Sequence, residues 1–447
     1  MERKLDKLVH VNGTWWLAGN QTTMFYGHIF RSGEDYHFIC HTMTRDIYND
    51  LQQAMPVEAF NGDACLNGLV RGQFVSLIGC RIGTTSYNSD GNKSENLVFE
   101  IEIVPNEIVY GEYPADTATL VTKASVDYLQ MDEFINLSAI DGGIDGTKLV
   151  PDKAETINNA EFSLLLYPVG TFSFSRNMHK YESMVKTDFL FHTPILLEDA
   201  RSHIAKFRLL LSIFKLNIIT VANIEMSIDL NGEGGCCIYH MNSVNDRIDE
   251  IWPVPFFSIN YEDISDVFGD IVDNWLIMFA DAEPIMELFY QTLTRKSYDV
   301  NKFLNLAQAI EVYSNKYRKC SVKEVYNRFP NDNPCDTSVK MFHKMYDLME
   351  LFAPCTGLCA EKNEILSKMI TDTRNYFTHY GSNSKKKALT GFGERNAVAN
   401  LMFYVLAFAI YYKLGISIEV IKKGFRHSLY DNTLKRVDNL FPKNDEL

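Results

Sequence analysis

The 447-residue sequence lacks the long apolar runs that mark membrane proteins and secreted precursors. Its most apolar stretch, Ala397–Tyr412, contains Asn400 and is followed by Lys413, which predicts a buried core helix rather than a membrane span. The first residues hold no apolar run typical of a signal peptide. The nine cysteines are odd in number and widely spaced, as in proteins with reduced thiols. We therefore expect a cytoplasmic protein with no membrane contact.

Motifs of the common catalytic and metal-binding classes are also missing. The sequence contains no Gly-x-Ser-x-Gly nucleophile motif and no His-Glu-x-x-His zinc motif. Cys355 and Cys359 have no second cysteine pair at zinc spacing, which favours ordinary thiols. Residues 232–235 are glycine-rich but connect two predicted strands, as a hairpin turn does. The sequence thus predicts neither a metal ion nor another cofactor.

Positive charge is scarce overall but unevenly distributed. The chain has 43 Lys and Arg residues against 57 Asp and Glu, a net charge of −14. This balance argues against a protein that coats nucleic acid by bulk charge. Residues 1–260 carry all of the net negative charge, whereas residues 261–447 hold 24 basic and 24 acidic residues. The second part is therefore able to present a local basic surface.

Two regions with different periodicity follow each other along the chain. The first 175 residues contain short segments rich in β-branched and aromatic residues, which predict an antiparallel sheet or sandwich. From about residue 263 the apolar residues recur at helical spacing. We expect an α+β protein with a β-rich domain at residues 1–261 and an all-helical bundle at residues 262–447. The helices predicted in the bundle are 263–280, 282–296, 300–318, 338–352, 360–380, 394–414 and 417–427.

The segment Thr373–Gly381 carries residues suited to phosphate chemistry. It closes a predicted helix with Gly381 as the C-cap, so Asn375 and His379 share one helix face. Arginine offers phosphate oxygens a permanently charged donor fork, and histidine moves protons near neutral pH. These residues suit a ribonuclease in which the 2′-OH of the RNA attacks and Arg374 stabilises the phosphorane. The alternative is a pair of surface residues at a helix end, where the dipole favours a protonated histidine.

Neighbouring residues have chemistry that suits RNA binding. Lys385, Lys386 and Lys387 follow the segment in a predicted loop, where they could bind phosphates. A lysine run in a loop is more often simply solvated. Tyr376 and Tyr380 could stack on bases, although tyrosines at helix ends more often pack inside a bundle or a dimer interface.

The pattern Arg374-Asn-x-x-x-His379, at a helix end in a carboxyl-terminal bundle, resembles the HEPN nuclease superfamily. The segment Phe303–Tyr313 looks like the helix that often opens this domain. Further likeness to an amino-terminal partner of this domain lies at Gly13–Leu17, Gly72–Cys80 and Leu209–Phe214. Together these segments resemble ApeA-type anti-phage proteins, an abortive-infection family.

The resemblance implies a metal-independent endoribonuclease with Arg374, Asn375 and His379 as catalytic residues. It implies a composite cleft between two copies of the chain, and hence a homodimer or a larger even oligomer. Family members often carry an acidic residue on the earlier helix, which points to Glu311 as a supporting residue. The basic residues after Glu311 match the family spacing only loosely, so a solvent-facing carboxylate is the alternative. The substrate class implied is tRNA or mRNA, whose cleavage stops translation.

The β-rich region carries no catalytic motif. Its size and acidity lead to the hypothesis that it senses a phage-derived protein and restrains the nuclease. Two other functional classes stay open from the sequence. One is a non-catalytic module that binds RNA or protein, and the other is an enzyme that acts on small nucleotides.

Overall fold

The computed structural model describes residues 4–33, 35–41, 45–55, 64–88, 98–111, 119–128, 134–135, 144–145, 148–149, 155–175, 178–219, 221–230, 233–241, 257–294, 300–329, 339–379, 388–426 and 428–441. The chain divides into two compact units. The first comprises residues 1–132, 137–205 and 220–247, and the second 133–136, 206–219 and 248–447. The domain bounds 1–261 and 262–447 stay a prediction, because the second unit also takes in a segment from the middle of the chain.

The first unit is built on one antiparallel sheet that contains all the described strands. The strands are β1 (Asn12–Leu17), β2 (Asn20–Ser32), β3 (Asp35–His41), β4 (Leu66–Val70), β5 (Gln73–Ile78), β6 (Arg81–Asn88), β7 (Val98–Val104), β8 (Glu107–Gly111), β9 (Leu120–Tyr128), β10 (Ile144–Asp145), β11 (Lys148–Leu149), β12 (Glu155–Asn158), β13 (Phe162–Ser175), β14 (Met178–Leu196), β15 (Val221–Leu230) and β16 (Glu233–Met241). Their order is β10-β11-β13-β14-β9-β15-β16-β8-β5-β4-β1-β2-β3-β7-β6, and β12 also pairs with β13. The predicted antiparallel, β-rich region is confirmed.

The core of this sheet is organised around Trp15. Its indole Nε1 donates a hydrogen bond to the carbonyl oxygen of Gly27 at 3.1 Å, and its ring centroid lies 4.5 Å from that of Phe38. In β3, Tyr36, Phe38 and Cys40 are buried while the alternating residues are only partly covered, as the two-residue period of a strand requires. A Cβ at Gly68 would lie 2.3 Å from the indole, so this glycine makes room for Trp15.

Among the described residues, α1 (Arg45–Ala54) and α2 (Leu197–Lys215) are α-helices that lie between strands in the sequence. Residues 197–205 of α2 belong to the first unit, where Tyr128 Oη donates to the carbonyl oxygen of Ile204 at 3.2 Å. Residues 206–215 belong to the second unit, where the indole of Trp275 donates to the carbonyl oxygen of Lys206 at 2.8 Å. Each half of α2 is therefore fixed by an aromatic donor of its own unit.

The second unit is helical in its described part, which confirms the predicted helical region. Its helices are α3 (Phe268–Thr294), α4 (Val300–Tyr317), α5 (Lys319–Arg328), α6 (Met341–Leu351), α7 (Ala353–Thr356), α8 (Ala360–His379), α9 (Phe392–Lys413), α10 (Ile418–Gly424) and α11 (Ser428–Asp438). Most of Ala397–Tyr411 in α9 is buried, as expected of a core helix. In the described part of the chain, no helix is long and apolar enough to cross a membrane.

The sequence predicts two helices at 263–280 and 282–296, and α3 is interrupted at this junction. Ala282 has a non-helical φ of −137° and ψ of 36°, so the predicted break between two helical segments is confirmed, although the first segment begins at Phe268. Pro284 lies two residues later, and proline lacks the amide hydrogen that an uninterrupted helix would use there.

Candidate active site

The carboxyl-terminal turns of α8 carry the residues that the sequence predicts to be catalytic. Arg374, Asn375 and His379 all lie in this helix, and His379 is its last residue. Arg374 and Asn375 are partly buried, and His379 is exposed. Nη1 of Arg374 lies 3.4 Å from Oδ1 of Asn375. A guanidinium, an amide and an imidazole therefore occur within about one and a half helical turns.

Thr373 fixes this end of α8 to the segment that leads into α9. Its side chain is fully buried. The hydroxyl donates to the carbonyl oxygen of Met369 at 2.7 Å and accepts from the amide of Leu389 at 2.9 Å. Because a threonine hydroxyl has one hydrogen to donate, these two bonds set its orientation. The residue directly before Arg374 is thus anchored on both sides.

Glu311 on α4 connects Arg374 to Lys344 on α6. Oε2 of Glu311 lies 3.3 Å from Nη2 of Arg374, and Oε1 lies 2.7 Å from Nζ of Lys344. The Lys344 side chain is only 7% exposed, whereas those of Glu311 and Arg374 are 29% and 31% exposed. Three helices thus bring two cations and one carboxylate together, and this cluster carries one net positive charge.

The two ion pairs of Glu311 differ in length. The 2.7 Å contact with Lys344 lies in the range of short charge-assisted hydrogen bonds, and the 3.3 Å contact with Arg374 is longer than that range. The carboxylate is therefore held mainly by Lys344. Arg374 keeps donor capacity for a further anion, and its partial exposure gives such an anion access. Both oxygens of Glu311 contact cations, so this carboxylate is not placed as a metal ligand.

A second arginine that the sequence analysis missed lies beside the same helix end. The guanidinium carbon of Arg395, on α9, is 5.1 Å from the ring centroid of Phe377. Its Nη1 also donates to the carbonyl oxygens of Leu389 and Thr390. Tyr376 packs against Phe377 with ring centroids 4.8 Å apart. Tyr376 therefore takes part in local packing, and its stacking on RNA bases stays a prediction.

Several residues named from the sequence lie outside the described residues. These are the predicted cap Gly381, the base-stacking candidate Tyr380, and the phosphate-binding candidates Lys385, Lys386 and Lys387. Their suggested roles stay predictions.

Two family models match the chain. The model described as ApeA N-terminal domain 1 matches residues 10–275, and the model described as Apea-like HEPN matches residues 304–420. The first match alone covers more than half of the sequence. The chain belongs to the ApeA family. No curated protein and no solved structure matches it.

In this ApeA family member, the HEPN match contains the whole candidate site. Glu311, Lys344, Arg374, Asn375 and His379 all fall within residues 304–420. HEPN domains are generally ribonucleases, and they commonly dimerise and bind RNA. A HEPN domain in the ApeA family indicates a nuclease-based role in anti-phage defence.

Proposed function

We propose that this ApeA family member is a metal-independent endoribonuclease that acts as an effector of anti-phage defence in the cytoplasm. The observation that carries the proposal is the cluster at the end of α8. There, Arg374 retains donor capacity beside Asn375 and His379, and an anchored helix end supports all three. The guanidinium of Arg374 can bind a phosphodiester, and the imidazole of His379 can accept or donate one proton.

In the proposed reaction, the 2′-oxygen of a ribose attacks the adjacent phosphorus. The bond from the 2′-oxygen to phosphorus forms, and the bond from phosphorus to the 5′-oxygen of the next nucleotide breaks. His379 serves as the base that accepts the 2′ proton or as the acid that protonates the leaving oxygen. Arg374 donates to the non-bridging oxygens as their negative charge grows. The products are a 2′,3′-cyclic phosphate and a 5′-hydroxyl.

Asn375 and Glu311 have supporting roles in this proposal. Asn375 lies on the same helix face as His379, from which its amide orients the imidazole or a ribose hydroxyl. Glu311 accepts from Nη2 of Arg374 and so limits where the guanidinium points. Lys344 neutralises Glu311, which leaves the cluster with a net positive charge toward the RNA.

The proposal includes a second copy of the chain and a trigger. Two HEPN domains contribute one motif each to a composite cleft, in a homodimer or a larger even oligomer. The substrate is tRNA or mRNA, and its cleavage stops translation in the infected cell. The acidic first unit senses a phage-derived protein and restrains the nuclease until that protein binds.

The test compares four variants of the full-length chain by RNA cleavage and by toxicity on induced expression. Arg374→Ala should lower cleavage about 10²–10³-fold, the cost of losing one donor to a developing oxyanion. His379→Ala should lower it about 10²–10⁴-fold, the usual contribution of a general acid or base. The matched controls are Arg328→Ala, which removes an exposed arginine paired with Glu350, and His192→Ala, which removes an exposed histidine of β14.

Three outcomes would contradict the proposal. Wild-type cleavage in both Arg374→Ala and His379→Ala would show that these residues take no part in the reaction. RNA binding without any cleavage product would favour a non-catalytic binding module. Conversion of small nucleotides without RNA cleavage would favour an enzyme of nucleotide metabolism.

A further inference from the structure

A cleft in the second unit shares no lining residue with the cluster around Arg374. It lies where α4 and α9 end and α10 begins, and its volume is about 440 Å³. Binding sites for small molecules have volumes of about 300–1,000 Å³. The cleft is lined by Tyr313, Tyr317, Arg318, Tyr412, Lys413 and residues 415–417. It is thus large enough for one small ligand.

Three tyrosines line this cleft, and they differ in how much of the ring is accessible. The hydroxyl of Tyr313 donates to the carbonyl oxygen of Ala409 at 2.8 Å, and that of Tyr317 donates to Oδ2 of Asp281 at 3.2 Å. Both hydroxyls are therefore engaged within the protein, and Tyr313, which is only 2% exposed, adds little ring surface to the cleft. Tyr412 is 42% exposed and is open to a ligand.

Two cations lie among these rings. Nε and Nη2 of Arg318 donate to the two carboxylate oxygens of Asp347 at 2.8 and 3.0 Å, which fixes the guanidinium and leaves Nη1 outside the pair. Nζ of Lys413 lies 4.9 Å from the ring centroid of Tyr317. Among the described residues, those that line the cleft include no Asp or Glu. Lys413 therefore supplies most of the positive charge of the lining, because Asp347 offsets that of Arg318.

These two properties restrict the chemistry of a ligand. Aromatic side chains bind nucleobases by stacking, and arginine and lysine bind phosphate. A neutral aromatic ligand would displace water from Lys413 without pairing its charge, which costs free energy. Inorganic phosphate would leave the rings uncovered. A ligand that carries both a base and a phosphate satisfies both parts of the lining.

We propose that this cleft binds a free nucleoside phosphate. The base packs against Tyr412, and the phosphate contacts Lys413 and Nη1 of Arg318. The volume suits a single nucleotide rather than a polymer. This site is independent of the proposed nuclease reaction, since none of its residues belongs to the cluster at the end of α8.

The experiment measures binding of AMP, GMP, CMP and UMP to the full-length chain by isothermal titration calorimetry. At least one of the four should bind. Lys413→Glu should then raise the Kd at least tenfold, because it reverses the charge that meets the phosphate. Tyr412→Ala should raise it about tenfold through lost stacking. The matched controls, Lys423→Glu on α10 and Phe392→Ala at the start of α9, should bind as the wild type does.

Specific results would overturn this inference. Binding of none of the four monophosphates would do so, as would an equal loss of affinity in the two controls. If the parent nucleoside or inorganic phosphate binds as tightly as the nucleotide, the cleft does not recognise a base and a phosphate together. Loss of binding in Arg374→Ala would place the nucleotide in the candidate active site instead. A chain that cuts no RNA but binds a nucleotide through Lys413 would leave this inference standing and refute the proposed function.

Discussion

Replacing Lys344 with methionine should slow RNA cleavage, although the proposal gives Lys344 no contact with RNA. Methionine keeps much of the apolar stem of the 7%-exposed lysine and removes its charge. Glu311 then loses its 2.7 Å partner and keeps Arg374, now at 3.3 Å. An uncompensated carboxylate favours two parallel hydrogen bonds from a guanidinium. Arg374 is thereby drawn toward Glu311 and away from the phosphate.

The size of the effect follows from what is lost. Complete removal of a donor to a developing oxyanion costs about 10²–10³-fold in rate. In Lys344→Met the guanidinium is still present but diverted, so we expect a decrease of about tenfold to a hundredfold. The cost in stability is smaller than for a fully buried pair, because Glu311 keeps solvent and Arg374 as partners. We expect a loss of about 1 kcal/mol in the free energy of unfolding.

A double variant separates this explanation from simple damage to the fold. Glu311→Gln removes the charge that diverts Arg374, so Lys344→Met with Glu311→Gln should cleave faster than Lys344→Met alone. Single-turnover cleavage rates of the wild type, both single variants and the double variant give the comparison. Lys368→Met on α8 is the matched control. It removes an exposed lysine paired with Glu364 and should leave the rate unchanged.

A double variant that cleaves as slowly as Lys344→Met, or more slowly, would contradict this explanation. In that case, Lys344 would act in some other way than by neutralising Glu311. Wild-type cleavage in Lys344→Met would equally show that the link from Lys344 through Glu311 to Arg374 plays no part in the reaction.

Three further predictions concern the fold and the cofactor requirement. Gly68→Ala should lower the free energy of unfolding by about 1–3 kcal/mol in urea titrations, since its Cβ would lie 2.3 Å from the Trp15 indole; wild-type stability would contradict this packing. Burial lowers the pKa of Lys302 to about 8, below its ordinary value of 10.5, so the unfolded chain binds more protons between these values. The free energy of unfolding should therefore rise by about 1.5 kcal/mol from pH 8 to pH 9.5, and Lys302→Met should lack this contribution; equal pH dependence in both proteins would refute it. Excess EDTA should leave RNA cleavage unchanged, and its loss on chelation would contradict the metal-independent mechanism.

Helices with a regular apolar stripe could be predicted closely from the sequence. The helix predicted at 300–318 lies at Val300–Tyr317, and that predicted at 360–380 lies at Ala360–His379. Helix α5 was missed because only Val322 and Val325 are buried in its ten residues, too few to produce a periodic pattern. Its position depends on packing against α6, which the local sequence does not contain.

Strand β14 was missed for a related reason. It carries charged residues such as Asp188, which is 4% exposed in the folded chain. The sheet makes this burial tolerable, because Lys123 on β9 and Tyr167 on β13 both contact the carboxylate. These partners lie on the two neighbouring strands, 65 and 21 residues away in sequence. A local pattern of alternating apolar residues cannot reveal such compensation.

In the candidate site, too, the local relation within one helix could be predicted from the sequence, and the contacts between distant residues could not. The relation of Asn375 to His379 depends on helical spacing alone and could be derived from the sequence. Glu311 came only from the family resemblance, and Lys344 was missed altogether. Lys344 lies 33 residues from Glu311, and Arg374 lies 63 residues from it. Only the packing of α4, α6 and α8 brings these three side chains together.

In the proposed reaction, the 2′-OH of the RNA is the nucleophile, and Arg374 and His379 are the residues that act on it. The most direct test maps the cut in an RNA substrate and then replaces the nucleotide on its 5′ side with the 2′-deoxy form. We expect the unmodified RNA to be cut in EDTA to leave a 2′,3′-cyclic phosphate, and the substituted RNA to stay intact. Cleavage of the 2′-deoxy substrate at the same position and rate would contradict it.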